Sequence, residues 1–172
     1  MGIMRHLFII FLFLLAACKT ESPQADQGRD VSKEELIQKH QDRIQTEEDR
    51  IDAYIDRRGW NMQVSGSGLR YMITESSSGE QAEQGKTAVV DYRITLLNGR
   101  ECYSSEEDGA ETFVIGKDAV ESGLHEGIQY MKKGESAILI MPPHLAHGLL
   151  GDREKIPANA SLVFELKLLD LK

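Results

Sequence analysis

Two groups of side chains in the second half of the sequence could carry chemistry. They are the paired serines Ser104-Ser105 and the histidines His144 and His147. A serine nucleophile needs an adjacent general base, and the local sequence places none beside the serines. The histidines follow Pro142-Pro143 without a cluster of further metal ligands around them. We therefore interpret the serines as turn residues, and we expect neither a metal site nor any other cofactor.

The two cysteines, Cys18 and Cys102, suggest different roles. One widely separated pair does not make a disulfide framework. Cys102 lies deep in the predicted folded part, and we interpret it as a small buried hydrophobe rather than a reactive thiol. Cys18 follows an apolar run at residues 7–17. That run is too short to span a bilayer, which takes about 20 residues.

Residues 1–17 have the features of an export signal: Arg5, then the apolar run, then small residues. The ending Leu15-Ala16-Ala17-Cys18 resembles the lipobox of bacterial lipoproteins. In that class, cleavage leaves the cysteine first and its thiol carries a diacylglycerol. The alternative is an ordinary cleaved signal beside an incidental cysteine. Lipidation at Cys18 would anchor the chain stably, because two or more acyl chains hold where one is marginal.

Two segments are predicted to separate this signal from the folded domain. Residues 18–30 are mostly small or polar and are typical of a flexible tether. Residues 31–58 are predicted to form one charged helix, because Ser32 and Glu35 make a capping box. Arg57-Arg58-Gly59 is a typical helix end. The formal net charge of −8 argues against a nucleic-acid partner, which would require a basic patch.

The charged helix carries a thin apolar seam in which Ile37, Ile44 and Ile51 recur every seven residues. We interpret it as a solvated helix with one seam resting on the folded domain. The alternative is a helix that pairs with a second copy or with another partner. The number of heptads is too small for a convincing coiled coil, so the first interpretation is preferred.

From Trp60 onward, alternating apolar residues predict a domain of short strands, residues 60–172. The clearest strand is residues 87–97, followed by the hairpin signal Asn98-Gly99. One helix is predicted among the strands at residues 119–131, with Gly123 and Gly127 leaving a face smooth enough for close packing. An antiparallel sheet wrapped around one short helix is an α+β domain. The other predicted strands are residues 69–74, 112–115, 136–141 and 161–170.

Several short motifs follow one another along the predicted domain. They are Val89-Val90-Asp91-Tyr92, Asn98-Gly99, Ser104-Ser105, Phe113-Val114-Ile115-Gly116, Gly123-Leu124-His125-Glu126-Gly127-Ile128, Met131-Lys132-Lys133-Gly134-Glu135, Ile156-Pro157 and Leu162-Val163-Phe164-Glu165. Their order and spacing resemble the FKBP family of peptidyl-prolyl cis-trans isomerases. The signal, helix and domain in this order also resemble the FKBP-like lipoproteins associated with gliding motility in Bacteroidota.

This resemblance implies a pocket that isomerises the bond before proline without a nucleophile or metal. The barrier is about 18–20 kcal/mol because the amide is resonance-stabilised. A dry pocket that binds the twisted amide better than the planar one lowers it. The resemblance implies Tyr92, Tyr103 and Phe164 as catalytic residues. It implies substrate contacts at Cys102, Val120, Glu121, Leu124, His147 and Ile156, with Glu111 also at the pocket. The backbone N–H of Glu121 would meet a substrate carbonyl.

Several of these positions depart from the family pattern. Cys102-Tyr103 stands where the family usually has Phe-Asp, Glu111 replaces an aromatic residue and His147 replaces a tyrosine. The pocket therefore lacks two aromatics and the customary acid, and it gains a carboxylate. The phenol of Tyr103 can donate a hydrogen bond but carries no charge near neutral pH.

Two functions follow as hypotheses. The first is a prolyl isomerase that assists the folding of exported proteins and acts on proline-containing polypeptide segments. The second is an FKBP-shaped chaperone or assembly subunit with little turnover. Both place the chain in the cell envelope, lipid-anchored at the outer membrane and facing the periplasm. Fold alone does not choose between them, because function depends on the site.

Overall fold

The computed structural model describes residues 32–172, so the predicted signal peptide, the tether and Cys18 lie outside the described residues. Helix α1 spans Lys33–Arg58, close to the predicted bounds. The hydroxyl of Ser32 accepts a hydrogen bond from the backbone N–H of Glu35 at 3.1 Å, as the capping box predicts. In residues 32–172, no helix is both long and apolar enough to cross a membrane.

The described residues form an antiparallel sheet of seven strands, and the predicted α+β class is confirmed. Along the sheet the strands run β1-β2-β6-β7-β3-β4, with β5 also pairing with β3. Their bounds are Gln63–Val64 for β1, Arg70–Glu75 for β2, Thr87–Leu96 for β3, Glu101–Ser104 for β4, Glu111–Val114 for β5, Ser136–Met141 for β6 and Leu162–Leu171 for β7.

Strand β3 organises the sheet because it has different partners on its two sides. On one side it pairs with β7 along its whole length, from Ala88 opposite Leu171 to Leu96 opposite Leu162. On the other side β5 pairs with its first half and β4 with its second half. The turn between β3 and β4 contains the predicted Asn98-Gly99, with Gly99 at φ +85°.

The helices among the strands are shorter and more numerous than predicted. Helix α3, Ser122–Ile128, replaces the expected helix 119–131, because Glu121 is extended and hydrogen bonds from Gln129 and Tyr130 tighten the last turn. A four-residue helix α2, Ser105–Asp108, and a 3-10 turn, Pro143–Leu145, were not predicted. Ser105 therefore begins a helix rather than lying in a simple turn.

Helix α3 lies very close to strand β6, as the two glycines predict. A Cβ atom on Gly127 would stand 2.3 Å from Leu139 Cδ1, and one on Gly123 would stand 2.7 Å from Met141 Sδ. Side chains of Leu124, Ile128 and residues from every long strand then close the main core around α3. The close approach holds the N-terminal end of α3, and the loop before it, in a fixed position over the sheet.

A second, smaller cluster covers the other face of the sheet. Ile51 and Tyr54 of α1 pack on Ile140 and Val163, and all four are buried. Leu36, Ile37 and Ile44, earlier on the same helix, are exposed. Of the predicted seam, only its last isoleucine therefore rests on the sheet.

Candidate functional site

A cavity of about 510 Å³ opens between the end of β3 and the loops around α3. Its walls come from β3, β4, β5, the loop before α3 and the segment after the 3-10 turn. The lining residues are Tyr92, Ile94, Tyr103, Glu111, Ala119, Val120, Glu121, Ala146, His147 and Asp152. A larger depression of about 610 Å³ follows the polar outer face of the sheet, where Arg93 already pairs with Glu165 at 2.7 Å. The smaller cavity is the better candidate, because apolar side chains such as Ile94 and Val120 line it together with a set of polar groups that converge on one space.

Six of the residues implied by the family resemblance meet in this cavity. They are Tyr92, Tyr103, Glu111, Val120, Glu121 and His147. The other four, Cys102, Leu124, Ile156 and Phe164, are buried within the main core. Burial raises the pKa of the Cys102 thiol, which agrees with its interpretation as a small hydrophobe. Three of the cavity-lining residues, Tyr92, Tyr103 and Val120, pack against this core.

Asp152 is a site residue that the sequence reasoning missed. Its Oδ2 accepts the hydrogen bond of the Tyr103 hydroxyl at 2.5 Å, and its Oδ1 accepts the backbone N–H groups of Glu154 and Ile156 at 2.8 Å each. The Asp152 carboxylate therefore links the loop at residues 152–156 to strand β4. The available signal was local: an aspartate that accepts a backbone N–H two residues later is a common turn element.

The Tyr103–Asp152 contact changes the acidity of both groups. The hydrogen bond to Asp152 is the main reason that the pKa of Tyr103 rises to about 12. Desolvation acts to raise the pKa of Asp152, but the hydrogen bonds from Tyr103 and the backbone outweigh it, and the pKa falls to about 2. The hydroxyl proton of Tyr103 is thus used in the hydrogen bond to Asp152.

Two groups on the loop before α3 face the cavity with different roles. The Glu121 carboxylate pairs with His147, with 3.0 Å between Oε1 and Nε2, and this contact joins the loop to the segment after the 3-10 turn. Within residues 32–172, the backbone N–H of Glu121 donates to no protein acceptor. A donor of this kind at an apolar wall can bind a carbonyl oxygen of a guest peptide.

His125 fixes the position of the same loop from outside the cavity. Its Nδ1 accepts the backbone N–H of Gly116 at 2.9 Å, so its Nε2 carries the proton and donates to the Asp118 carbonyl at 2.9 Å. His125 connects α3 to the chain that leads to Val120 and Glu121.

The side of the cavity formed by β3 is completed by the short helix α2. Tyr92 lies in β3 between the residues that pair with β4 and those that pair with β5. The backbone N–H of Tyr92 donates to the hydroxyl of Ser105 at 3.2 Å rather than to a strand carbonyl. The Tyr92 hydroxyl lies 3.5 Å from Asp108 Oδ2. Burial first, and the nearby acids second, raise the pKa of Tyr92, which stays a neutral phenol at the cavity wall.

This sheet, with one helix packed on it and an apolar cavity at the helix N-terminus, defines the FKBP class of domain. The family model for FKBP-type peptidyl-prolyl cis-trans isomerases matches residues 78–169. The chain therefore belongs to the FKBP-type peptidyl-prolyl cis-trans isomerase family.

Individual relatives agree with this assignment. The FKBP-type peptidyl-prolyl cis-trans isomerase FkpA of Escherichia coli K12 is 39% identical over 111 residues, which are 64% of this chain and 40% of the relative. The crystal structure of Escherichia coli FkpA matches with a TM-score of 0.62 at 30% identity and covers 83% of this chain and 74% of that one. The crystal structure of AtFKBP13 matches with a TM-score of 0.61 at 30% identity and covers 66% and 100%. The sequence match thus spans less than half of the FkpA relative.

Proposed function

We propose that this protein is a membrane-anchored peptidyl-prolyl cis-trans isomerase that assists the folding of exported proteins. The observation that carries the proposal is the cavity beside Tyr92, with apolar side chains in its walls and with Glu121 among its lining residues, whose backbone N–H donates to no protein acceptor within residues 32–172. The family match at residues 78–169 supports the isomerase part of the proposal.

The mechanism follows from differential binding. The Glu121 N–H would hold a substrate carbonyl, while the rings of Tyr92 and Tyr103 and the side chains of Ile94 and Val120 surround the prolyl amide. Water stabilises the planar amide, in which charge is separated. An apolar cavity wall favours the twisted amide, which is less polar. The barrier to rotation about the prolyl amide therefore falls, and no covalent bond is made or broken.

The polar groups of the cavity indicate a slow enzyme. The Tyr103 hydroxyl is held by Asp152, and the Glu121 carboxylate is held by His147. Neither is left to stabilise the twisted amide unless its own hydrogen bond breaks. We therefore expect turnover well below that of a pocket with a full set of aromatic residues.

A proline-isomerisation assay on the fragment of residues 30–172 tests the proposal. Tyr92→Ala should abolish most turnover because it removes a cavity wall. Tyr130→Ala is the matched control, since Tyr130 is exposed and stacks on Tyr71 instead. Circular dichroism must show both variants folded. Equal loss of turnover in both variants would argue against the cavity as the site.

The second candidate is an FKBP-shaped chaperone or an assembly subunit of a cell-envelope machinery of the gliding-motility kind. The observation that favours it is the loop after His147, where Leu149 and Leu150 are the most exposed large apolar residues within residues 32–172. Apolar side chains beside a peptide cavity suit the capture of unfolded segments. Binding of peptides without turnover, weakened by Leu149→Ser with Leu150→Ser, would favour this function.

Anchoring at the outer membrane, facing the periplasm, is part of the proposal and rests on the sequence around Cys18. We expect Cys18→Ser to release the protein or to stall its processing, because the acyl chains supply the membrane affinity. Cell fractionation with metabolic lipid labelling measures both. Membrane retention without label would contradict lipid anchoring.

Association through α1 is a further part of the proposal. Ile44 is 46% exposed on this helix, and Leu36 and Ile37 are also exposed. The preferred interpretation of this seam is a solvated helix, and pairing with a second copy of the chain is the alternative. Under that alternative, light scattering on residues 30–172 should show a dimer that Ile44→Glu weakens and that Thr46→Glu, at a neighbouring exposed position, does not. A monomer at all concentrations would contradict it.

A further inference from the structure

The carboxylate of Glu111 is the polar group of the cavity that lacks a partner. Glu111 begins β5, opposite Val90, and its side chain is half-buried at the cavity wall. Within residues 32–172, the carboxylate of Glu111 takes part in no side-chain hydrogen bond or ion pair. Burial first, and the neighbouring Glu121 carboxylate second, raise the pKa of Glu111. Partial burial without a partner disfavours the charged form of this carboxylate, and a cation from outside would favour it.

The other charges around the cavity do not neutralise Glu111. His147 is engaged with Glu121, and Asp152 is engaged with the Tyr103 hydroxyl. The cavity lining described above contains no lysine or arginine. The cation beside the site, Lys155, lies over the Tyr103 ring at 4.6 Å and 3.7 Å from Glu107. The cavity therefore presents an excess of negative charge to a guest peptide.

A cationic side chain can use this arrangement where a neutral one cannot. Lysine and arginine have apolar stems that can pack along Tyr92 and Val120 while the charged head reaches the carboxylate. Lys155 already shows an ammonium group over one ring of this site. An acidic side chain in the same position would be repelled by Glu111 and by Glu121.

We propose that Glu111 makes this site selective for segments in which a lysine or arginine lies next to the proline. The inference rests on the proposed function, since it assumes that the cavity receives proline segments. It adds a class of substrate, basic X-Pro or Pro-X segments, and it assigns their selection to one side chain.

Two peptide series test the inference: Ala-Xaa-Pro-Phe and Ala-Ala-Pro-Xaa, each with lysine, leucine or glutamate as Xaa. The fragment of residues 30–172 should favour lysine over glutamate by about tenfold in kcat/KM at low salt in at least one series, as expected for a close charge pair. Salt near 0.5 M should weaken the preference because it screens the charges.

Glu111→Gln should reduce the preference to less than about threefold, because it removes the charge and keeps the shape. Glu106→Gln is the matched control. It removes the same charge from the nearby helix α2, but Glu106 lines the polar outer depression instead of the cavity. A lysine preference that survives Glu111→Gln, or that falls equally in Glu106→Gln, would overturn the inference.

Binding measurements separate this inference from the proposed isomerase function. If no peptide is turned over, the isomerase function fails, and titration of the same peptides decides the selectivity. Tighter binding of the lysine peptide that is lost in Glu111→Gln supports the inference. Equal binding of the lysine, leucine and glutamate peptides overturns it even if all three are turned over.

Discussion

The two faces of the sheet are each covered by a helix, but in different ways. On one face α3 comes so close that Gly127 has no room for a Cβ atom, and the main core closes around it. On the other face residues of α1 contribute Ile51 and Tyr54 to a small cluster. An ion pair and a hydrogen bond accompany this second contact. The buried Arg70 pairs with Asp52 at 3.2 Å, and the hydroxyl of Ser161 donates to Glu47 at 2.5 Å.

The difference shows where the protein can tolerate change. The face with α3 combines the core with the cavity, so a shift of α3 would also move Val120 and Glu121. The face with α1 lies outside the cavity, and the match to the family model begins only at residue 78. We expect damage to the first face to change stability and peptide binding together. Damage to the second face should change stability alone.

The largest expected effect is on the face with α3. Phe164→Ala should lower the free energy of unfolding by about 3–5 kcal/mol, because it empties a fully buried ring position in the main core. Urea unfolding of residues 30–172 measures this. A loss below about 1 kcal/mol would mean that Phe164 is not a core residue.

The corresponding change on the other face is Ile51→Ala. It should cost about 2–4 kcal/mol, because Ile51 is fully buried against Ile140 and Val163. Ile44→Ala, on the same helix but exposed, is the control and should cost less than about 0.5 kcal/mol. Peptide binding at 20 °C should be unchanged in both variants. A loss of binding in folded Ile51→Ala would show that the two faces are coupled.

A smaller effect is expected from filling the narrow space beside α3. Gly127→Ala should cost about 1–3 kcal/mol through overpacking against Leu139 and should also weaken peptide binding. Gly66→Ala is the matched control, because a Cβ atom there would meet nothing within 4 Å. Thermal unfolding and a peptide titration check both variants. Normal binding in Gly127→Ala would show that the loop before α3 does not follow the helix.

The smallest effect is expected at Asp152 and depends on pH. The folded-state pKa of about 2 lies below the ordinary value of 3.8. The stabilisation from this carboxylate is therefore fully present above about pH 4 and is lost as the pH falls towards about 2. Asp152→Asn should cost about 1 kcal/mol at pH 7, and the gap from the wild type should narrow below pH 4. A gap that is constant from pH 7 to pH 2.5 would contradict the assignment.

The long strands could be predicted from the sequence because their side chains alternate. In β3 the residues from Ala88 to Leu96 alternate as an inward row, and the strand has almost the predicted bounds. The apolar residues Ala119 and Val120 extended the predicted helix into what is a loop, since periodicity does not register that Glu121 is extended. Short elements such as α2 contain too few residues to show a period.

The site was predictable only where it lies on strands or beside α3. Family resemblance identified Tyr92, Tyr103 and Val120, and the structure brings them together. Asp152 could not be identified in this way, because its contact with Tyr103 joins residues 49 positions apart in the chain. Sequence patterns describe neighbours along the chain, whereas a loop contact of this kind depends on the complete fold. The buried positions of Phe164 and Leu124 agree with their places on the apolar faces of the predicted strand and helix.

The divided pairing of β3 has a consequence for how the protein avoids aggregation. A long unpaired strand edge can pair with strands of other molecules. Here one edge of the sheet is the two-residue strand β1, and the other is split into β4 and β5, of four residues each. The hydroxyl of Ser105 binds the strand N–H at the break. Within residues 32–172, the sheet thus offers an unfolded chain no long edge on which to add a strand.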